Sequence, residues 1–186
     1  GTSWSRTGHV SVSNPLVGGE ENGAAVALGE GGWAFVGAPG ANAGSGRVHT
    51  YLQVGGTWLH VSSLLASDAG QNTLFGTQIE TDGTTLVVVA DRSPNVNGPI
   101  GAIYTFLRTA ATWTQVDKTT SPLNAANTNA YARSISLIGD HLAVGEPNIN
   151  NQQGSVHLYR RDGLGWQLRD SLRPGTILNG DRYGSS

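Results

Sequence analysis

Four tryptophans, Trp4, Trp58, Trp113 and Trp166, stand 54, 55 and 53 residues apart. A fixed period of this size is the mark of one supersecondary unit used repeatedly, and it constrains the fold more than any single motif does. Three further series keep the same order and spacing. The first is Gly46-Arg47-Val48-His49-Thr50-Tyr51, Gly101-Ala102-Ile103-Tyr104-Thr105-Phe106 and Gly154-Ser155-Val156-His157-Leu158-Tyr159. The second is an apolar pair running into a turn: Phe35-Val36-Gly37-Ala38-Pro39, Val88-Val89-Ala90-Asp91-Arg92 and Ala143-Val144-Gly145-Glu146-Pro147. Its middle copy lacks both the Gly and the Pro. The third is Phe75-Gly76, Tyr131-Ala132 and Tyr183-Gly184, with Asn22-Gly23 as a weaker first copy. Trp33 lies outside the tryptophan series.

Each unit divides into four β segments. In the second unit, Gly76 to Thr81 opens a strand and Asp82-Gly83 supplies a hairpin turn. The run Leu86-Val87-Val88-Val89 suits a strand buried on both faces. A polar loop follows, then the Gly-x-β-x-x-aromatic strand, and a last strand begins at the repeating tryptophan. Only 13% of the residues are charged and 27 are glycine, a mix that favours short strands and tight turns. No stretch carries a helical period. A four-stranded antiparallel sheet repeated at this spacing predicts an all-β fold of β-propeller blades, because one small sheet buries its faces only against its neighbours.

The register predicts one propeller divided as follows. Residues 1–13 read as strand four of a preceding blade, since Gly1-Thr2-Ser3-Trp4 matches Gly56-Thr57-Trp58. Residues 20–67, 72–121 and 128–173 read as three full blades, and 178–186 as the start of the next. Propellers close with about four to eight blades. The expectation is therefore that further blades of a longer polypeptide, or further copies of the chain, complete the ring.

The unit resembles the FG-GAP repeat of integrin α-chain propellers and their bacterial relatives. Phe75-Gly76 carries the first mark, and Val36-Gly37-Ala38-Pro39 carries the second. Tyr183-Gly184 and Val144-Gly145-Glu146-Pro147 come close to them. The Gly-x-Val-x-x-Tyr strand and the tryptophan strand look like the bacterial type. The resemblance implies a calcium loop between strands one and two in many members. Calcium takes six to eight oxygen ligands. The corresponding turns here, Gly29-Glu30-Gly31-Gly32, Asp82-Gly83-Thr84 and Gly139-Asp140-His141, offer at most one carboxylate each, so no cofactor is expected.

The absence of cysteine excludes disulfides, thiol catalysis and thiolate metal sites. A formal net charge of −2, with scattered arginines and Lys118 as the single lysine, gives no field for nucleic acid. No apolar run is long enough to span a bilayer, and an export signal would have to precede Gly1. No serine sits in a Gly-x-Ser-x-Gly elbow. His49 and His157 occupy equivalent strand positions and read as packing residues with a polar tip, while His9, His60 and His141 show no metal-ligand spacing. Asp68, Asp91, Asp117 and Asp170 show no spacing that pairs them. Glu20-Glu21 reads as a solvated loop and Asp91-Arg92 as a local ion pair. No catalytic or metal residue is assigned.

Binding residues are expected on the polar loops after strand two, because loops on a rigid scaffold carry most recognition. The candidates are Asn42, Arg92, Asn95, Asn97, Asn148, Asn150 and Gln152, whose amides and guanidinium suit sugar hydroxyls or a protein surface. The resemblance and the missing catalytic constellation together imply a non-enzymatic extracellular or cell-surface binding or adhesion module, with a protein or glycan ligand. A structural subunit of a surface assembly or filament is the alternative. A hydrolase or lyase working in the axial channel would need paired carboxylates or a metal there.

Overall fold

The computed structural model describes residues 19–92, 101–123, 131–176 and 178–186. The strand expected within 1–13 and the loop residues Asn95 and Asn97 lie outside these. Twelve strands form three four-stranded antiparallel sheets in simple sequential order. The first sheet holds β1 (Val26–Gly29), β2 (Trp33–Ala38), β3 (Arg47–Val54) and β4 (Thr57–Leu64). The second holds β5 (Phe75–Thr81), β6 (Thr85–Ala90), β7 (Ala102–Thr109) and β8 (Thr112–Thr120). The third holds β9 (Ser134–Ile138), β10 (His141–Glu146), β11 (Ser155–Asp162) and β12 (Gly165–Leu172). These are the expected blades. A register shift recurs at the same place in each, at Thr50/Tyr51, Thr105/Phe106 and Leu158/Tyr159.

Local chemistry sets the hairpins. Asp82 Oδ1 accepts the backbone N–H of Thr84 at 2.9 Å and of Thr85 at 2.6 Å, so its carboxylate is spent on closing the β5–β6 turn. Asp140, in the corresponding turn of the third blade, pairs with His141 and Arg160.

The blades bury one another. β6 is buried at every position, and its alternation feeds two cores. Leu86, Val88 and Ala90 join Trp33, Phe35 and Val48 of the first blade. Val87, Val89 and Ile103 join Tyr131, Leu142, Val144 and Tyr159 of the third. Two of the repeating tryptophans, Trp113 and Trp166, reach backwards. Trp113 meets Trp33 edge-on at 5.7 Å and Phe35 at 5.1 Å, both in the preceding blade. That contact gives Trp33 its role. Trp166 donates its indole N–H to Thr105 Oγ1 of the second blade at 2.8 Å, with the Arg161 guanidinium 4.7 Å from its ring.

The strand pairing corrects one register. Gly37, Gly145 and Val89 pair with Val48, Val156 and Ile103, each two residues beyond its repeat glycine. Val89, and not Ala90, therefore stands in the place of Gly37 and Gly145. A bulky apolar residue at a glycine position hides the alignment when only letters are compared.

The same positions explain why glycine recurs. Gly76 has φ +100° and lies against Gly37, while Gly184 has φ +84° and lies against Gly145. A methyl on Gly37 would overlap the Gly76 carbonyl oxygen. Overpacking of this kind costs about 1–3 kcal/mol. Gly37→Ala is expected at the upper end of that range in urea unfolding. Gly175→Ala, where nothing lies within 4 Å of the added carbon, is expected to change the midpoint little.

Candidate functional site

The loops after strand two carry the predicted binding residues. In the first blade the loop contains a one-turn helical segment α1 (Ala41–Gly44), and in the third α2 (Ile149–Gln152). Both turns are interrupted by left-handed residues: Asn42 and Ala43 in one, Asn150 and Asn151 in the other. Asn tolerates this backbone better than most residues, which accounts for Asn42, Asn150 and Asn151 in physical terms. Ala41 and Ile149 anchor the two turns from inside.

The carbonyls of these turns are used by the next blade. Ala43, Gly44 and Ser45 accept from the N–H groups of Asn72, Leu74 and Phe75 at 3.3, 2.8 and 3.3 Å. Asn151, Gln152 and Gln153 accept from Gly180, Arg182 and Tyr183 at 3.2, 2.7 and 2.8 Å. Short parallel bridges, Gly46 to Phe75 and Gly154 to Tyr183, complete each clamp. The side chains of Asn42, Arg92, Asn148, Asn150 and Gln152 remain exposed. Asn42 Oδ1 accepts from Arg47 at 2.6 Å, and Gln152 Oε1 accepts from Arg182 at 3.2 Å. Arg92 donates its backbone N–H to Thr73. Its expected partner Asp91 pairs instead with Arg133 of the third blade at 3.9 Å, because Asp91 directly follows β6 at the junction between blades.

A second constellation was only partly legible in the sequence. The third residue of β3, β7 and β11 (His49, Tyr104 and His157) is buried in each blade and carries a polar group. In the second blade the Tyr104 hydroxyl donates to Asp68 Oδ1 at 2.7 Å, and Lys118 Nζ lies 2.6 Å from Asp68 Oδ2. Burial alone would raise the Asp68 carboxyl. The hydrogen bonds from Lys118 and Tyr104 outweigh that and hold it below the ordinary aspartate range. In the third blade His157 Nε2 and Glu146 Oε2 are 2.8 Å apart, and His157 Nδ1 is 2.8 Å from Ser171 Oγ. Ser121, on the segment leaving the second blade, donates to Glu146 Oε2 at 2.9 Å. Beside it the Tyr131 and Tyr159 hydroxyls meet at 2.9 Å. Burial raises both phenols, Tyr159 to about 12 and Tyr131 well above the ordinary tyrosine range.

A carboxylate, an imidazole and a hydroxyl in one chain of hydrogen bonds have the connectivity of a hydrolytic triad. Here both ring nitrogens are engaged, and neither His157 nor Glu146 has any exposed surface. A substrate has no approach, so the group works as a clasp between blades. Sequence reasoning weighed His157 but passed over Glu146. The signal was present: a carboxylate stands where the first blade has Ala38 in a buried motif. In the first blade His49 Nδ1 lies 2.9 Å from Ser63 Oγ and 3.4 Å from His60 Nε2. Burial, with His60 and Arg47 adding, holds the His49 ring below the ordinary histidine range, while Glu20 pulls the other way.

The deciding observation is the contact of an aromatic-Gly pair with a Gly-Ala-Pro turn across two blades, and the FG-GAP repeat family matches residues 58–106. The chain carries an FG-GAP repeat. The match runs from Trp58 in β4 to Phe106 in β7, so the FG-GAP unit is offset from the sheet. The matched unit supplies the last strand of the first blade and the first three of the second. The covalent chain thus staples neighbouring blades, and the FG pair, Phe75-Gly76, sits at the crossing point. No curated protein matches the chain. Among the described residues no helix is long and apolar enough to cross a membrane.

Proposed function

We propose that the chain is a non-catalytic binding module of an extracellular or cell-surface protein, recognising a protein or glycan through the loops after strand two. One observation carries this. The backbone of these loops is held by three cross-blade hydrogen bonds in each clamp, while Asn42, Asn148, Asn150 and Gln152 stay exposed. Fixed loops presenting polar side chains lose little entropy on binding. Arg92 belongs to the corresponding loop of the second blade, and Asn95 and Asn97 follow it in sequence, outside the described residues.

Binding by the full chain is tested on glycan and extracellular-protein arrays, followed by the variant Asn42→Ala/Asn148→Ala/Asn150→Ala. The expected result is a loss of at least about tenfold, or about 1.4 kcal/mol, with an unchanged circular dichroism spectrum. Equal binding by the variant sinks the proposal. A structural role in an assembly is the second reading. Val26 and Leu28 are 70% and 75% exposed, whereas Ile79, in the place of Val26 in the second blade, is 6% exposed. Concentration-dependent self-association in sedimentation, with no ligand on either array, favours that role instead.

A further inference from the structure

The second polar position of the first blade differs from its counterparts in a way that packing does not require. His60 pairs with Tyr51 on the face that carries His49. The residues facing Phe106 and Tyr159 in the other blades are Gln115 and Leu168. A histidine at this place is therefore peculiar to the first blade. Its Nε2 stands 3.4 Å from His49 Nδ1, and Ser63 Oγ lies 2.9 Å from the first histidine and 3.4 Å from the second.

We propose that His49 and His60 form a binding site for a borderline transition-metal cation of the Zn2+, Cu2+ or Ni2+ class. Two ligand nitrogens at the usual zinc distance, set at the tetrahedral angle, stand about 3.3 Å apart. The observed separation has that bite. Imidazole suits this class of metal, and it binds in its neutral form. Ser63 Oγ marks the third corner, where a hydroxyl or water completes the shell. His60 and Ser63 are exposed, so the cation enters from solvent.

The site is weak by construction. Among the described residues no cluster of three or more His, Cys, Asp or Glu exists to make a closed structural centre. Half the ligand set of a structural zinc site implies a dissociation constant of about 1–200 µM. The third blade is an internal control. His157 has both ring nitrogens engaged, by Glu146 and Ser171, and offers no free lone pair.

The test is calorimetric titration of the tag-free full chain with Zn2+ alone and Cu2+ alone, with histidine side-chain nitrogens followed by NMR. The expected result is one ion per chain, with the Nδ1 resonance of His49 and the Nε2 resonance of His60 shifting together. His60→Asn, an exposed change that leaves the fold intact by circular dichroism, is expected to weaken binding at least tenfold. His141→Asn, at an exposed histidine remote from the pair, is expected to leave it unchanged. Absence of saturable binding below about 1 mM overturns the proposal, as does wild-type affinity in His60→Asn.

Discussion

Replacing Trp113 by alanine is expected to cost about 3–5 kcal/mol of unfolding free energy, the range for truncating a buried large aromatic. The same replacement at Trp58 is expected to cost about 1 kcal/mol or less. The two residues hold equivalent places in the repeat, so propensity and strand position are matched. They differ in what covers them. Trp113 is 7% exposed and lies edge-on against Trp33 and Phe35 of the preceding blade, within the core shared by two sheets. Trp58 is only half-buried. Edge-on aromatic pairs contribute about 0.5–1.5 kcal/mol beyond area burial, so two such contacts place Trp113 high in its range. Urea unfolding of both variants measures the difference. Equal losses would mean that the tryptophan stabilises its own sheet and that burial between blades is not what the period encodes.

The period was legible because each copy needs the same large apolar residue to meet its neighbour. The double burial of β6 was legible for a related reason: an unbroken run of Leu and Val leaves no polar face. The junction details were harder to read. Val89 at the place of Gly37 changes the letters while the strand pairing stays the same. Asp91 was expected beside Arg92 but pairs with Arg133, since a residue at a strand end faces whatever the next blade presents. The asparagines of the loops were legible as turn formers, and Asn42 and Asn150 do adopt left-handed backbone. Their binding role cannot be read from that geometry, because a left-handed turn favours Asn with or without a ligand. The strand-three polar position was visible as His, Tyr and His. Asp68 and Glu146 come from 36 and 11 residues away from the Tyr104 and His157 they serve, Ser121 from 25 residues away from Glu146, and no local pattern announces them.

That buried position yields the second large effect. Glu146→Ala is expected to destabilise the chain by about 3–5 kcal/mol, the usual result of removing one partner from a fully buried pair. The His157 ring would keep its place with Nε2 facing a void, and Ser121 would lose its acceptor. Changing both partners should be milder. The repeat itself shows an apolar solution: Ala38 and Ala90 hold the place of Glu146, and Tyr104 puts an aromatic ring where His157 stands. Glu146→Ala/His157→Phe is therefore expected to recover about 2 kcal/mol of the single loss, a coupling within the range for residues in one hydrogen-bond network. A double-mutant cycle by urea unfolding measures it. Additive losses would show that the two side chains act separately. A strong coupling identifies the Glu146–His157 pair as a contact that ties β10 to β11 within the third blade and holds Glu146 where Ser121, on the segment leaving the second blade, reaches it, at the junction where Val89 stands in the place of the glycine of the Gly-Ala-Pro turn.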